Sequence, residues 1–298
     1  MSKAISVSSD RPYGLRLVCR VWKIAASTVY ARRKGAAVAA APAKRGPRAV
    51  ISDDDLLAQI REVLAASPWV GEGHRKVHAY LKARGIAVGR RRVLASMRAE
   101  GLLAPQRLGH PHGPKAHDGT IIPVLPNRLW GEDATSTWTD EGNATIFLVV
   151  DHACGDLLGI RAARCGTRFE AIEALKQAVL TVGKYEEDYF REVELALRHD
   201  WGSQFISKAF QGELGFLGIR STPSFVREPQ GNGCVERMVR TLKEQLLWLR
   251  RFATIDELNE ALQEFRTRYN ERWILERHGY LTPAQYRRKM TEAAVVAA

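Results

Sequence analysis

Apolar residues recur three and four apart between residues 51 and 100, then switch to a period near two after residue 128. The first regime predicts three helices. Ser52 can cap one of them, with Asp53–Asp55 at its favourable dipole end and a stripe of Leu56, Leu57, Ile60, Val63 and Leu64. Ser67-Pro68 stops it. A second helix, about 72–84, buries Val77, Tyr80 and Leu81, and Gly85 turns the chain. A third, about 90–100, buries Val93, Leu94 and Met97 and carries Arg91, Arg92 and Arg98 on its other side. The second regime predicts strands at 129–137, 144–152 and 156–164, a three-stranded antiparallel meander with a turn at Gly155. Thr167 and Glu170 form a capping box for a helix reaching Val182, with Ile172, Leu175, Val179 and Val182 inward. A strand over 193–200, a helix near 203–214, a short strand near 219–222 and a helix carrying Glu236 follow. A last helix, capped by Thr254 and Glu257, buries Leu258, Leu262, Phe265 and Tyr269, and a basic end, Arg287-Arg288-Lys289, comes after it. Near the start, residues 12–34 show a short helical pattern with Leu15, Val18, Cys19 and Trp22 on one face.

Two proline-rich stretches divide these groups. Residues 36–48 are rich in Ala, Pro and basic residues, and 104–127 hold five prolines; both read as linkers. The chain thus divides into a basic helical segment and linker (1–50), a three-helix domain (51–104), a linker (105–127), an α/β core (128–252) and a helical extension (253–298). A helix, a short Gly turn and an Arg-studded helix is the layout of a helix-turn-helix DNA reader, with plain three-helix packing as the alternative. Three antiparallel strands followed by alternating helix and strand is an RNase H-like order.

Charge sharpens this picture. Of 45 Lys/Arg and 33 Asp/Glu, residues 1–128 hold 23 and 8, so the basic excess lies wholly in the front. That is the footprint of phosphate contacts. No apolar run reaches the length of a membrane span, the first residues lack a secretory apolar core, and the four cysteines show no C-x-x-C pairing. A reduced, cytoplasmic, nucleoid-associated protein without structural zinc is expected; His74 and His78 have no partner cysteines at zinc-module spacing.

Three carboxylates carry the candidate chemistry. Asp133 lies within the first strand, Asp200 ends the run 193–200, and Glu236 opens a helix with thirty-five residues between it and Asp200. Two aspartates on strand ends and a glutamate on a following helix can converge on two divalent cations. Two cations about 3.5–4 Å apart clamp both oxygens of an in-line phosphodiester displacement. Hard oxygen ligands suit Mg²⁺, with Mn²⁺ as a substitute. Taken singly, each has a plainer reading: an edge-strand Asp, a turn Asp, a dipole-favoured Glu. Asp151 and Asp156 read as turn-forming or solvated, and strand alternation sends Glu132 to the sheet face opposite Asp133. Arg240 and Lys243 share the face of Glu236, where they either meet a DNA backbone or form an intrahelical pair.

The words around these residues carry a resemblance. WGEDAT (130–135), HDWGSQF (199–205), PQGNGCVER (229–237), YNER (269–272) and HGYLTPAQY (278–286) are similar to blocks of bacterial insertion-sequence DDE transposases. The catalytic core of that family resembles retroviral integrase cores. EGHRKVHAYL (72–81) with RRRVL (90–94) is similar to the helix-turn-helix that precedes it. The likeness spans roughly residues 50–290. His199, Trp201 and Gly231 depart from common family choices beside the second and third carboxylates.

The resemblance implies an RNase H-like, mixed five-stranded sheet with helices on both faces, preceded by an all-α helix-turn-helix domain. It implies Asp133, Asp200 and Glu236 as catalytic and metal-binding residues with two Mg²⁺ per site. DNA contacts are expected at Arg91, Arg92, Arg98, Arg240 and Lys243, and similar enzymes support Lys243 more than Arg240. It also implies cleavage of element ends, attack of the 3′-OH on another strand, action as a homo-multimer on paired ends, and an upstream-frame partner protein in many elements. The alternatives are an RNase H-like nuclease that cuts without joining, and a decayed DNA-binding remnant.

Overall fold

Alternation from Leu129 onward builds the sheet that organises the molecule. The computed structural model describes residues 4–37, 50–105, 122–183, 189–224 and 232–297. Five strands, β1 (Leu129–Thr139), β2 (Gly142–Asp151), β3 (Leu157–Ala163), β4 (Ala196–His199) and β5 (Arg220–Pro223), lie in the order β3-β2-β1-β4-β5. β1–β2 and β2–β3 are antiparallel; β1–β4 and β4–β5 are parallel. This is the expected mixed sheet with helices on both faces.

Each face has its own apolar layer. Trp130, Phe147 and Val149 meet α6 (Arg168–Val182), α7 (Tyr189–Glu192) and α8 (Lys208–Phe216) on one side. Ile146, Leu148 and Val150 meet α9 (Gly233–Leu242) and α10 (Ile255–Arg272) on the other. α6 approaches β3 so closely that a Cβ on Gly159 would overlap the Ala174 carbonyl. α10 is part of the core: Leu258, Leu262 and Phe265 are fully buried against the sheet. The apolar layer therefore continues past residue 252, where the sequence pattern alone drew a boundary.

Ahead of the sheet, α3 (Asp53–Ala66), α4 (His74–Ala83) and α5 (Arg90–Ala99) enclose Leu56, Ile60, Val63, Val77, Leu81, Val93 and Met97. Ser52 caps α3 through the Asp55 N–H at 3.0 Å. This bundle is docked on the core through the α3–α4 link. Trp69 inserts edge-on against Phe265 (6.1 Å) and Trp273 (5.0 Å). Gln245 bonds both the N–H and the carbonyl of Val70, each at 2.9 Å. The Lys76 ammonium lies 3.1 Å from the Trp273 ring centre and 3.9 Å from the buried Glu72.

Residues 4–37 belong to a separate compact unit, Met1–Val50. Its single expected helix is two, α1 (Leu15–Val21) and α2 (Ala26–Ala37). Trp22 falls in the break between them and is 58% exposed, so it does not continue the inward face. Most of the proposed linkers at 36–48 and 105–127 lies outside the described residues, and residues 36–37 of the first end α2. Two further expectations change. Thr167 starts α6 without a side-chain cap, and Glu170 bonds Arg161 at 2.9 Å rather than closing a capping box. The strand expected over 193–200 is regular only at Ala196–His199, after α7 and a left-handed Glu194. The basic end is a helix, α11 (Pro283–Ala297), and its half-buried Arg287 pairs with Asp151 and Asp156.

Candidate active site and DNA-reading helix

Parallel register places the first two carboxylates. The last pair between β1 and β4 is Gly131 with Arg198. Two residues further along each strand come Asp133 and Asp200. Equal steps on parallel neighbours reach the same level and the same sheet face, with strands about 4.8 Å apart. That face is covered by α9. Gly131 lets the helix come close, since a Cβ there would overlap Val235, Asn232 and His152. Asn232, buried at the start of α9, reaches the Glu132 carbonyl with its side-chain N–H at 3.4 Å. Glu236 then lies in the first turn of α9 over Asp133 and Asp200.

The electrostatics register this convergence. Burial lifts the Asp133 carboxyl from its usual 3.8 to about 6. The Ala134 N–H, bonded at 2.8 Å, opposes the rise; Asp200 and Glu236 add to it; Lys243 offsets it. Burial also raises Glu236, against the pull of Arg240. Asp200, at the end of β4, accepts the Gly202 N–H at 2.8 Å through one oxygen. Among the described residues, the three carboxylates are not gathered within 4.8 Å of one another, as three like charges without a cation should not be.

Glu132 occupies the opposite face, as alternation requires. Both its carboxylate oxygens lack partners among the described residues, and burial, with Asp133 next to it, raises its pKa far above the carboxylate range. It is fully buried on that face, away from the Asp133 side. His199 is buried between rings, with Phe205 stacked at 5.6 Å and Phe210 edge-on. Trp201 is 55% exposed, and its indole N–H donates to the Ser224 carbonyl at 2.6 Å.

A second acidic group, Asp151, Cys154 and Asp156, has its ligand atoms within 4.8 Å. Neither aspartate is solvated, contrary to expectation. Asp151 does form the turn, accepting the Ala153 and Cys154 N–H groups at 2.7 and 3.1 Å. The Arg287 guanidinium fills the space between Asp151 and Asp156, so the group is an ion pair rather than a metal site.

Lys243 caps α9 and begins a π-helical segment, Lys243–Leu247, that no sequence pattern announced. π-turns cluster at functional sites. Gln245, the residue bonded to Val70, belongs to the same segment, which therefore touches both the candidate site and the helix-turn-helix domain. In that domain the three expected arginines separate. Arg91 and Arg98 are exposed on α5. Arg92 instead bonds Asp53 through Nε and Nη2, at 3.0 and 2.6 Å, and the Ile51 carbonyl at 2.7 Å. Its fork fastens α5 to the start of α3.

Comparison with known proteins agrees with this layout. Residues 217–283 match the integrase core domain family, and residues 52–109 match the HTH-like domain family. The chain is similar to a transposase for insertion sequence element IS629 of Shigella sonnei, 26% identical over 92% of this chain and 91% of the relative. It is also similar to the InsD transposase of insertion element IS2 of Escherichia coli, 25% identical over 80% and 79%. Among solved structures it is similar to a simian T-cell lymphotropic virus intasome in complex with a PP2A regulatory subunit (TM-score 0.48, 20% identity, 79% and 74% covered). It is likewise similar to an HTLV-2 integrase catalytic core in complex with magnesium (TM-score 0.43, 22% identity, 55% and 98% covered).

Proposed function

We propose that this chain, a homologue of insertion-sequence transposases, cuts the ends of a mobile element and joins the resulting 3′-OH to another DNA strand. The observation that supports the reading is the parallel β1–β4 register, which ends two residues short of Asp133 and Asp200, with the charges of Asp200 and Glu236 acting on Asp133. The three groups offer only hard oxygens, and at least Asp133 and Asp200 each keep a carboxylate oxygen outside the backbone bonds they accept. They fit Mg²⁺ or Mn²⁺, two per site, with Asp133 and Asp200 as ligands and Glu236 completing the set. Bound cations would supply charge stabilisation to the attacking and leaving oxygens of the phosphodiester.

The protein's own groups do the rest. β1 carries Asp133, and Asp200 follows directly after the end of β4. α9 carries the third. Arg240 and Lys243 extend a cationic track along the helix for the DNA backbone. Transposition needs two ends held together, which supports a homo-multimer. A labelled duplex end incubated with Mg²⁺ tests the proposal: joined products longer than the substrate support it, whereas cutting alone would leave an RNase H-like nuclease.

Lys243 should act on the scissile region as a mobile point charge. Lys243→Ala should lower cutting and joining by about tenfold, equivalent to ~1.4 kcal/mol. Lys243→Arg should restore most of the rate, and Lys243→Glu should fall below Ala. Equal rates for Ala and Glu would show that its charge does not meet DNA.

Recognition should rest on Arg91 and Arg98. If either meets a base edge, its replacement by Ala weakens binding by about 1–3 kcal/mol and relaxes sequence preference. A phosphate contact would instead flatten the salt slope by about 0.9. Arg92→Ala should spare DNA preference and slightly lower the melting temperature, since Asp53 is largely exposed. A change of sequence preference on Arg92→Ala would return that residue to the interface.

A further inference from the structure

We infer that the N-terminal unit is a second duplex-DNA-binding module, a helix-turn-helix distinct from α4–α5, in which α2 is the reading helix. The inference extends the DNA-acting proposal and uses no catalytic residue.

Charge is the first support. Residues 1–50 hold 11 Lys/Arg and one acidic residue, Asp10, a net +10 out of +12 for the whole chain. Between residues 11 and 37 there are seven Lys/Arg and no Asp or Glu. A solvated surface usually mixes both signs. An acid-free one repels a second copy of itself and attracts a polyanion.

Geometry is the second. Two helices joined by a turn of three or four residues is the helix-turn-helix plan. Here α1 ends at Val21, four residues (Trp22 to Ala25) intervene, and α2 begins at Ala26. Lys23 turns the chain in the left-handed region at φ 53°, and the Ile24 N–H returns to the Cys19 carbonyl at 2.9 Å. The inner side is formed by buried Cys19 with half-buried Leu15, Val18, Ala26 and Val29.

The outer side is the third. Ser27, Thr28, Ala31 and Arg32 follow the i, i+1, i+4, i+5 spacing of one helical face, and all are exposed, as is Lys34. Small hydroxyl residues in the first turn and arginine in the second suit a helix whose N-terminal end meets base edges. Arg16 and Arg20, exposed one turn apart on α1, suit the backbone contacts that the first helix of the motif makes. α2 has no apolar stripe for a lipid surface.

The test uses the full chain, with element-end and random-sequence duplexes, over a range of salt. Arg32→Ala with Lys34→Ala should weaken binding to both duplexes and lower the salt slope by about 2, near 0.9 per lost phosphate contact. Ser27→Ala with Thr28→Ala should narrow the preference for element ends and leave the slope unchanged. A photo-cross-linker on Ser27→Cys, in a Cys165→Ser background because Cys165 is the exposed described cysteine, should mark DNA at a place different from one on Arg91→Cys. Unchanged affinity and slope in the α2 variants, while Arg91→Ala with Arg98→Ala loses binding, would overturn this inference and leave the proposed function standing. Cross-links from position 27 to protein alone would also overturn it, in favour of a protein partner. If no variant or wild-type chain binds duplex, both readings fall.

Discussion

Asp133→Asn, Asp200→Asn and Glu236→Gln should each reduce strand cutting and joining together by on the order of 10³-fold or more. That exceeds the 10–100-fold typical of residues that only support a metal's ligands. Binding of element ends should persist, because the helix-turn-helix domain folds around its own apolar cluster. The substitutions keep shape and remove one ligand charge. A purely structural role for Asp133 predicts the opposite stability change from the one expected here. Its folded pKa, about 6, lies above the usual 3.8. Between those values the native state binds more protons than the unfolded one, so the ionised group destabilises the metal-free fold as pH rises through the window. The gap corresponds to ~2–3 kcal/mol before solvent screening. Asp133→Asn should therefore raise the melting temperature of the metal-free protein at pH 7.5 and change it little near pH 3.5. Added Mg²⁺ should stabilise the wild-type chain and not the variant. Full activity in any one variant removes that residue from the site, and a lower melting temperature for Asp133→Asn at pH 7.5 removes the electrostatic account.

The strong periodicities were legible in the sequence for a physical reason: they are one-dimensional records of burial. Alternation in β1–β3 and the stripes of α3, α6 and α10 each face an apolar layer, so the pattern and the structure agree. Short elements were less legible. β4 has four residues, too few for a period to emerge, and α7 is a single turn. The π-helical segment is a change in hydrogen bonding that leaves composition untouched. Partner choice was the least legible. Arg91, Arg92 and Arg98 read as one basic side, yet Arg92 pairs with the largely exposed Asp53, thirty-nine residues away. Asp151 and Asp156 read as turn residues because their counter-ion stands more than 130 residues downstream. The meeting of Asp133 with Asp200 depends on a parallel register that spacing suggested only with the help of the family's words.

Arg287→Ala should destabilise the fold by about 3–5 kcal/mol, the usual consequence of removing one side of a buried ion pair. Asp151 is fully buried and Asp156 nearly so. The guanidinium meets Asp156 at 2.5 and 3.0 Å, Asp151 at 3.0 Å and the Asn127 side-chain oxygen at 3.0 Å. Burial alone would lower its pKa, but the two carboxylates more than offset this and hold it protonated. Without the arginine, two carboxylates share a dry site, and Asp156, whose pKa burial already raises, loses the charge that holds it down. The destabilisation should then be smaller at pH 4, where protonation relieves the repulsion, and full at pH 7.5. Urea unfolding at the two pH values measures it. Arg287→Lys should recover only part, since an ammonium cannot span two aspartates and an asparagine in one plane. Arg287→Met combined with Asp151→Asn and Asp156→Asn should recover more than Arg287→Met alone, because no uncompensated charge is left. Chelators should have no effect on this site, in contrast to Asp133, Asp200 and Glu236. A loss below about 1 kcal/mol, or one that does not change with pH, would mean that α11 does not depend on this pair for its place against the β2–β3 hairpin.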